Sequence, residues 1–419
     1  MSRQQHSVHN ILCLKEAICQ MNILMISDVY FPRVNGVSTS VESFRKALAR
    51  QGHSVTLICP AYPIGHEDDP DILRIPSRSV PGDPEDRMMH YRRVLELMPD
   101  LARRQFDLVH VHTPFVAHYA GLKLARRLGL PVVETCHTLF EEYLHHYIPW
   151  LPGSLLRWAV KRVALRQCHV VDALIAPSPP MRDAVERYGI RRPIFVIATG
   201  LPLGEFRCAM DGDFRQRYQL PTNAPLLLFV GRTAHEKNIG FLIDMLPKVI
   251  SRHPSALLVI AGEGPARDAL ARQAQQRGVE KSVRFVGYMR RDGPLQSMYR
   301  AADVFVFASR TETQGLVLLE SMALGTPVVS TAVMGTLDVL RDNEGCLIAE
   351  DDPNDFANKI NRLLDDASLR SRLSQSAMDY ADQWHEDVKA SQLIELYRQI
   401  CGPARVAGCL EESIGKHEA

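Results

Sequence analysis

Residues 309–329, SRTETQGLVLLESMALGTPVV, hold two carboxylates, Glu312 and Glu320, eight positions apart. Glu312 falls in the loop after the apolar run DVFVFAS (303–309). Glu320 lies two turns into the helix-forming stretch that follows, which ends at the turn signal Gly325-Thr326-Pro327. The backbone amides of Thr313, Gln314, Gly315 and Leu316 then stand at a helix N-terminus, which favours an anion or sugar oxygens. Two carboxylates at this spacing can hold hydroxyl groups on two different sugars. An acidic cap on a solvated helix face accounts for either glutamate alone, but poorly for the whole string.

Two other clusters invite a metal and do not support one. In ETCHTLFEEYLHHYIP (134–149), Glu141 with His145 and Glu142 with His146 stand at i,i+4, on one helix face. The His-Glu-x-x-His order of a zinc site is absent. Asp211-Gly212-Asp213 lies off any strand end and reads as a solvated linker turn. No metal ligands and no cofactor are therefore expected.

The elements that must position these residues follow from composition and period. The chain has 419 residues and a net charge of +1, a length that suggests two or three domains of ~100–200 residues each. Near-neutral charge argues against a nucleic-acid partner, which requires a strongly basic face. No apolar run approaches the ~18 residues of a membrane span, and residues 1–20 lack a secretory signal. They read as a disordered leader or a start-site artefact, and the protein is expected in the cytoplasm. Nine scattered cysteines without a Cys-x-x-Cys pair exclude a disulfide framework.

Short apolar runs alternate with helical stretches in two series. The first holds NILMIS (22–27), VTLIC (55–59), DLVHVH (107–112), VVETCH (132–137), ALIAPS (173–178) and IFVIA (194–198). The second holds LLLFVG (226–231), LLVIAG (257–262), VRFVG (283–287), DVFVFAS and PVVS (327–330). Continuous apolarity fits parallel strands buried on both faces, so two doubly wound α/β domains are expected, facing across a cleft. Their spans are 21–200 and 225–400, joined by a linker at 201–224, with the last helix able to pack back on the first domain. Residues 401–419 read as a tail. His112 and His137 both close strands, which turns them toward the cleft.

The Glu-x7-Glu string resembles the signature of family 4 (group 1) glycosyltransferases, retaining enzymes of the GT-B fold. The resemblance runs from Met21 to about residue 400, with its motifs in order. VGRTAHEKN (230–238) is similar to the family's Gly-Arg…Glu-Lys-Asn loop, which implies that Arg232 and Lys237 neutralise the donor pyrophosphate. On their own these two would read as surface charge. The resemblance further implies that Gly262 in AGEGP (261–265) approaches the nucleotide and that Gly36 in FPRVNGVSTS (31–40) lies against diphosphate or sugar. Glu320 would hold ribose hydroxyls, Glu312 and the amides after it the sugar, and His137 the transferred sugar as a catalytic group beside Glu312. The 134–149 cluster resembles lipid-directed members, notably diacylglycerol glucosyltransferases. The implied activity is hexose transfer from a nucleotide-diphosphate sugar, a UDP-sugar first, to a lipid or glycan acceptor. A GDP-mannose-dependent or soluble-acceptor transferase is the alternative, and a nucleotide-sugar epimerase or a sugar-nucleotide sensor would be a different class. Thr199 stands where many relatives carry Asn.

A membrane surface is the last expected partner. Residues 144–170 contain no acidic residue, and GSLLRWAVKRVALRQC reads as a basic helix carrying Arg157, Lys161, Arg162 and Arg166. Its apolar stripe is Leu156, Ala159, Val160 and Val163. Residues 21–200 hold 22 Lys and Arg against 18 Asp and Glu. Such a helix reads as an anchor to anionic lipid on the inner membrane face, with His112, Glu141, Tyr143, Arg157 and Lys161 as acceptor- or membrane-facing residues. The alternative is a stripe packed on the first sheet with its charges solvated.

Overall fold

The protein is described by a computed structural model, which covers residues 20–63, 69–80, 83–137, 153–208 and 212–402. The first half builds β1 (Asn22–Ile26), β2 (Ser54–Pro60), β3 (Ile72–Ile75), β4 (Ser77–Val80), β5 (Asp83–Met89), β6 (Leu108–Val111), β7 (Val132–Thr135), β8 (Ala173–Ala176) and β9 (Ile194–Val196). Seven of these form a parallel sheet in the order β3-β2-β1-β6-β7-β8-β9, while β4 and β5 pair as a separate antiparallel hairpin. The second half builds β10 (Leu226–Val230), β11 (Leu257–Ala261), β12 (Val283–Gly287), β13 (Val304–Phe307), β14 (Val328–Ser330) and β15 (Cys346–Ile348). They form a parallel sheet in the order β12-β11-β10-β13-β14-β15.

Helices cover both faces of each sheet, which is why the central strands are apolar throughout. Ile23, Leu24, Met25 and Ile26 of β1 are all fully buried, as are Leu226, Leu227, Leu228 and Phe229 of β10. Each such side chain contributes roughly 1.5–3 kcal/mol on burial, so these runs set the sheet centres. In both sheets the strand order reverses at the centre, between β1 and β6 and between β10 and β13. Crevices for ligands open at the carboxyl ends of strands at such reversals.

The strands missing from the sequence reading share a cause. β3 is only partly buried, β4 carries the exposed polar residues Arg78 and Ser79, β5 is mostly polar in sequence (DPEDRMM), and β15 has three residues. None presents a continuous apolar run. The stretch 201–224, expected as a linker, forms the short helices Leu203–Cys208 and Phe214–Arg217. Leu203, Phe206, Phe214 and Leu220 are buried in the core of the second sheet, because each is a large apolar side chain within reach of it. Asp213 caps the second of these helices, its carboxylate accepting from the amides of Arg215 and Gln216. Asp211 lies outside the described residues.

The final helix, Glu386–Cys401, returns to the first domain. Its Ala390, Leu393, Ile394, Leu396 and Tyr397 join Met21, Ile23, Val41 and Phe44 in one core. The chain thus crosses between domains twice, at 199–201 and 384–386, and the crossings are bonded together. Leu201 N–H donates to Trp384 O (2.8 Å) and Glu386 N–H to Leu201 O (3.1 Å). A Cβ on Gly200 would stand 2.4 Å from Glu386 Cα, so only glycine admits this approach. Among the described residues no helix is long and apolar enough to cross a membrane.

Candidate active site

On the N-terminal side, the loop after β1 enters the helix Gly36–Arg50 through a capping box. Ser38 N–H donates to Asn35 Oδ1, and Asn35 N–H donates to Ser38 Oγ, both at 2.9 Å. Gly36 opens the helix on the exposed surface, with no protein atom within 4 Å of where a Cβ would stand. Neighbouring strands β6 and β7 deliver the histidines. His112 Nδ1 and His137 Nε2 lie 3.2 Å apart and share one proton. The His110 ring lies tilted against that of His112, 3.9 Å between centroids. Its own nitrogens reach Tyr397 OH (2.6 Å), on the final helix, and Thr135 Oγ1 (2.7 Å).

Burial keeps this row of imidazoles uncharged. It lowers His110 to about 3 and His137 to about 4. His112 falls well below its ordinary 6.5 through burial first and its two histidine neighbours second. Two buried carboxylates lie at the same end of the sheet, and both are engaged. Asp28 accepts from Thr113 Oγ1–H (2.8 Å) and from Ala117 N–H, at the start of the helix Val116–Leu128. Burial raises it to about 6. Glu134 Oε2 lies 2.9 Å from His118 Nδ1.

On the C-terminal side, β10 runs into Gly231, half-buried Arg232 and the 3-10 turn His235–Lys237. Asn238, at φ +53°, ends the turn and ties it to β13 through Nδ2–H to Ala308 O (3.1 Å). This places Lys237 Nζ in an ion pair with Glu312, both side chains less than one-fifth exposed. The signature helix, Leu316–Ala323, starts from Gly315 in the left-handed region (φ +84°), a backbone conformation that favours glycine. Glu320, 1% exposed, is ion-paired with Arg291 and accepts from Tyr299 O–H (3.0 Å). Burial and then the Glu320 charge push the Tyr299 phenol well up, so it remains a donor.

The structure therefore joins Lys237 to Glu312 and His112 to His137, at the central reversals of the two sheets. It gives three other sequence candidates a different setting. A Cβ on Gly262 would stand 2.0 Å from Gly231 O, so the close backbone approach that requires glycine there is one between two loops of the protein itself. Glu320 is closed from solvent, and a ligand hydroxyl reaches it only if Arg291 yields or shares it. The Gln314 side chain bonds the interdomain crossing instead of facing the crevice (Oε1 to Thr199 N–H, 2.9 Å). Glu141 and Tyr143 lie outside the described residues, as does the side chain of Arg157. Lys161 is exposed, its Nζ 5.9 Å from the Tyr188 ring. Asp28, His110, Arg291 and Tyr299 were not read from the sequence. His110 carried one signal, a polar residue in the interior of an apolar strand. Among the described residues no three His, Cys, Asp or Glu side chains are grouped to hold a metal.

Residues 34–205 match the model of Glycosyltransferase Family 4, and residues 211–379 that of Glycosyl transferases group 1. Over 320 residues the chain is 34% identical to the alpha-monoglucosyldiacylglycerol synthase of Streptococcus pneumoniae, covering 74% of this chain and 71% of that one. The chain is a family 4 (group 1) glycosyltransferase. The transferase is also 29% identical to a GDP-mannose-dependent alpha-mannosyltransferase of Mycobacterium tuberculosis, over 77% of this chain and 82% of that one. Its fold is GT-B. Anabaena HepE, solved in complex with UDP-glucose, superposes with a TM-score of 0.70 at 19% identity, over 90% of this chain and 99% of that one. The transferase is a hexosyltransferase, and its two switch points carry the residues described above.

Proposed function

We propose that this transferase moves a hexose, with retention, from a UDP-sugar to a lipid acceptor at a membrane surface, without a metal. The observation that carries the donor half is the Lys237–Glu312 pair at the β10/β13 reversal, set at the N-terminus of the signature helix. Lys237 and Arg232 supply the positive charge a departing diphosphate needs, the task a metal would otherwise perform. Glu312 and the helix amides take the sugar hydroxyls, while neutral His137 donates or accepts a hydrogen bond at the sugar. Retention fits a front-face displacement in which the leaving phosphate oxygen helps remove the acceptor proton. It is supported by the engagement of Asp28 and Glu134, the two buried carboxylates at that end of the first sheet among the described residues, each already held by hydrogen-bonding partners.

The acceptor half rests on the pneumococcal relative and on one surface. Gln167, in the basic helix Gly153–Cys168, donates to Pro114 O (2.7 Å) and to Tyr119 OH (3.3 Å). Beside this contact Phe115, Tyr119 and Val163 are each half or more exposed, near the exposed Lys161, Arg162 and Arg166. Aromatic and basic side chains together suit an anionic headgroup boundary. A GDP-mannose donor is the second reading, favoured by the mycobacterial relative.

Radiolabelled UDP-glucose and GDP-mannose, each supplied with anionic vesicles containing diacylglycerol, test the whole reading. Label from UDP-glucose should enter the organic phase as an α-glycoside, and excess chelator should leave the rate intact. Label confined to water-soluble product would reject the lipid acceptor. Transfer from GDP-mannose alone would reject the UDP donor.

A further inference from the structure

We infer that the Gln314 side chain clasps the Glu312 loop to the interdomain crossing, so that Glu312 and the hinge move as one unit. The clasp has two bonds to a single residue: Gln314 Nε2–H donates to Thr199 O (2.8 Å), and Thr199 N–H donates to Gln314 Oε1 (2.9 Å). Only one orientation of the amide satisfies both. Gln314 is 4% exposed and Thr199 3%, and a buried peptide group without partners is costly, so neither bond is given up lightly.

Both ends of the clasp are anchored. Thr199 Oγ1 lies 2.6 Å from Ser40 Oγ, and Gly200 O accepts from Ser43 Oγ–H at 2.8 Å. Both serines belong to the helix that opens at Gly36. The next residue, Leu201, is bonded to Trp384 and Glu386 on the second crossing. At the other end, Glu312 O accepts from Gly335 N–H (2.8 Å) and Thr313 O from Ser178 Oγ–H (2.6 Å). Residues 312, 313 and 314 are thus each tied down, the last two to groups of the first domain. A ligand that moves Glu312 must move the crossing or break the clasp. Gln314 is a positioning residue: it sets where the Glu312 carboxylate stands for a given angle between the domains.

The inference rests on the donor reading above, and its test separates the two. The chain has three tryptophans, and Trp150→Phe with Trp158→Phe leaves Trp384 as the only reporter, 8% exposed and bonded to Leu201. In that parent, UDP-glucose should change Trp384 emission along the calorimetric binding curve. Gln314→Leu should bind UDP within about threefold of the parent but lose most of the emission response, and its kcat should fall about tenfold at nearly constant KM. Gln314→Glu keeps the acceptor and loses the donor. Its activity should recover on acidification relative to the parent, because a protonated carboxyl regains the O–H donor. A purely steric role produces no such recovery. A parent-like emission response and kcat in Gln314→Leu would overturn the clasp. Failure of the parent to bind UDP would count against the donor reading alone. Hydrogen exchange without ligand would then decide the clasp: faster exchange across 384–388 in Gln314→Leu supports it, and unchanged exchange there overturns it.

Discussion

The N-terminal wall of the crevice presents His110, His112 and His137 as neutral rings, while the C-terminal wall presents Lys237, Glu312, Arg291 and Glu320 as two closed ion pairs. Burial produced both states by different routes. An imidazole can shed its proton and so escape the cost of a buried charge. On the other wall each glutamate instead meets a lysine or an arginine of opposite charge. The uncharged wall suits hydroxyl groups, which need donors and acceptors without net charge. The paired wall holds cations in reserve: for the proposed donor, a diphosphate must compete with Glu312 for Lys237, and a ribose must compete with Arg291 for Glu320.

That contrast can be broken at the ion pair first. Glu312→Gln should lower kcat by about 10²-fold, as loss of one preorganised polar contact at a reacting sugar typically does. UDP affinity should hold or tighten, since Lys237 is released to the phosphates. Near-native turnover would remove Glu312 from the sugar site. Lys237→Ala should act in the opposite sense, weakening UDP binding by about 1.5–3 kcal/mol in calorimetry. If both variants shifted kcat alone, the pair would be structural and the cation reserve would not exist.

The neutral wall is tested by pH. His110, at about 3, and His137, at about 4, are depressed from 6.5. Their contribution to stability is complete above 6.5 and is lost as pH falls through these values, because the unfolded chain binds the protons first. Asp28 opposes them. Raised from 3.8 to about 6, its contribution is complete below 3.8 and is lost as pH rises through 6. Urea unfolding between pH 4 and 6 should therefore show a steeper rise of stability with pH in Asp28→Asn, by up to about 1.4 kcal/mol per unit. His137→Asn should flatten it. An unchanged slope in Asp28→Asn would mean its carboxyl is not raised by the fold, and an unchanged slope in His137→Asn would mean that ring binds its proton alike folded and unfolded.

The smallest expected effect lies outside the crevice, where the first domain carries the exposed aromatic groups Phe115 and Tyr119 near exposed basic side chains. Phe115→Ser with Tyr119→Ser should weaken co-sedimentation with anionic vesicles by roughly three- to tenfold, less than full burial of two aromatic side chains would give. Raising salt should weaken it further through Lys161, Arg162 and Arg166. Equal pelleting with neutral and anionic vesicles, or none with either, would leave the domain contrast confined to the crevice and shift the acceptor toward a soluble sugar.

Much of this molecule was legible before any coordinates. Runs such as NILMIS and LLLFVG can be little else than central parallel strands, because both faces must be apolar. The Gly-Arg…Glu-Lys-Asn loop and the Glu-x7-Glu string lie directly after two such strands, and the resemblance to family 4 glycosyltransferases assigned Lys237 and Glu312 to one donor site. Strand β3 and the hairpin β4–β5 could not be read, since exposed edges carry no apolar period. The apolar residues at 203–220 were likewise read as linker because nothing local shows which core they join.

Sequence alone determined the central apolar strands, the glycine-bearing turns and the identity of the charged groups that follow those strands. Tertiary structure decided what those groups touch. Glu320 meets Arg291 and Tyr299, Gln314 meets Thr199, and His110 meets Tyr397, across separations of 29, 21, 115 and 287 residues. Periodicity reports only which face of an element is buried. Which polar partner waits on that face is settled when distant elements pack and each buried donor and acceptor must find its complement.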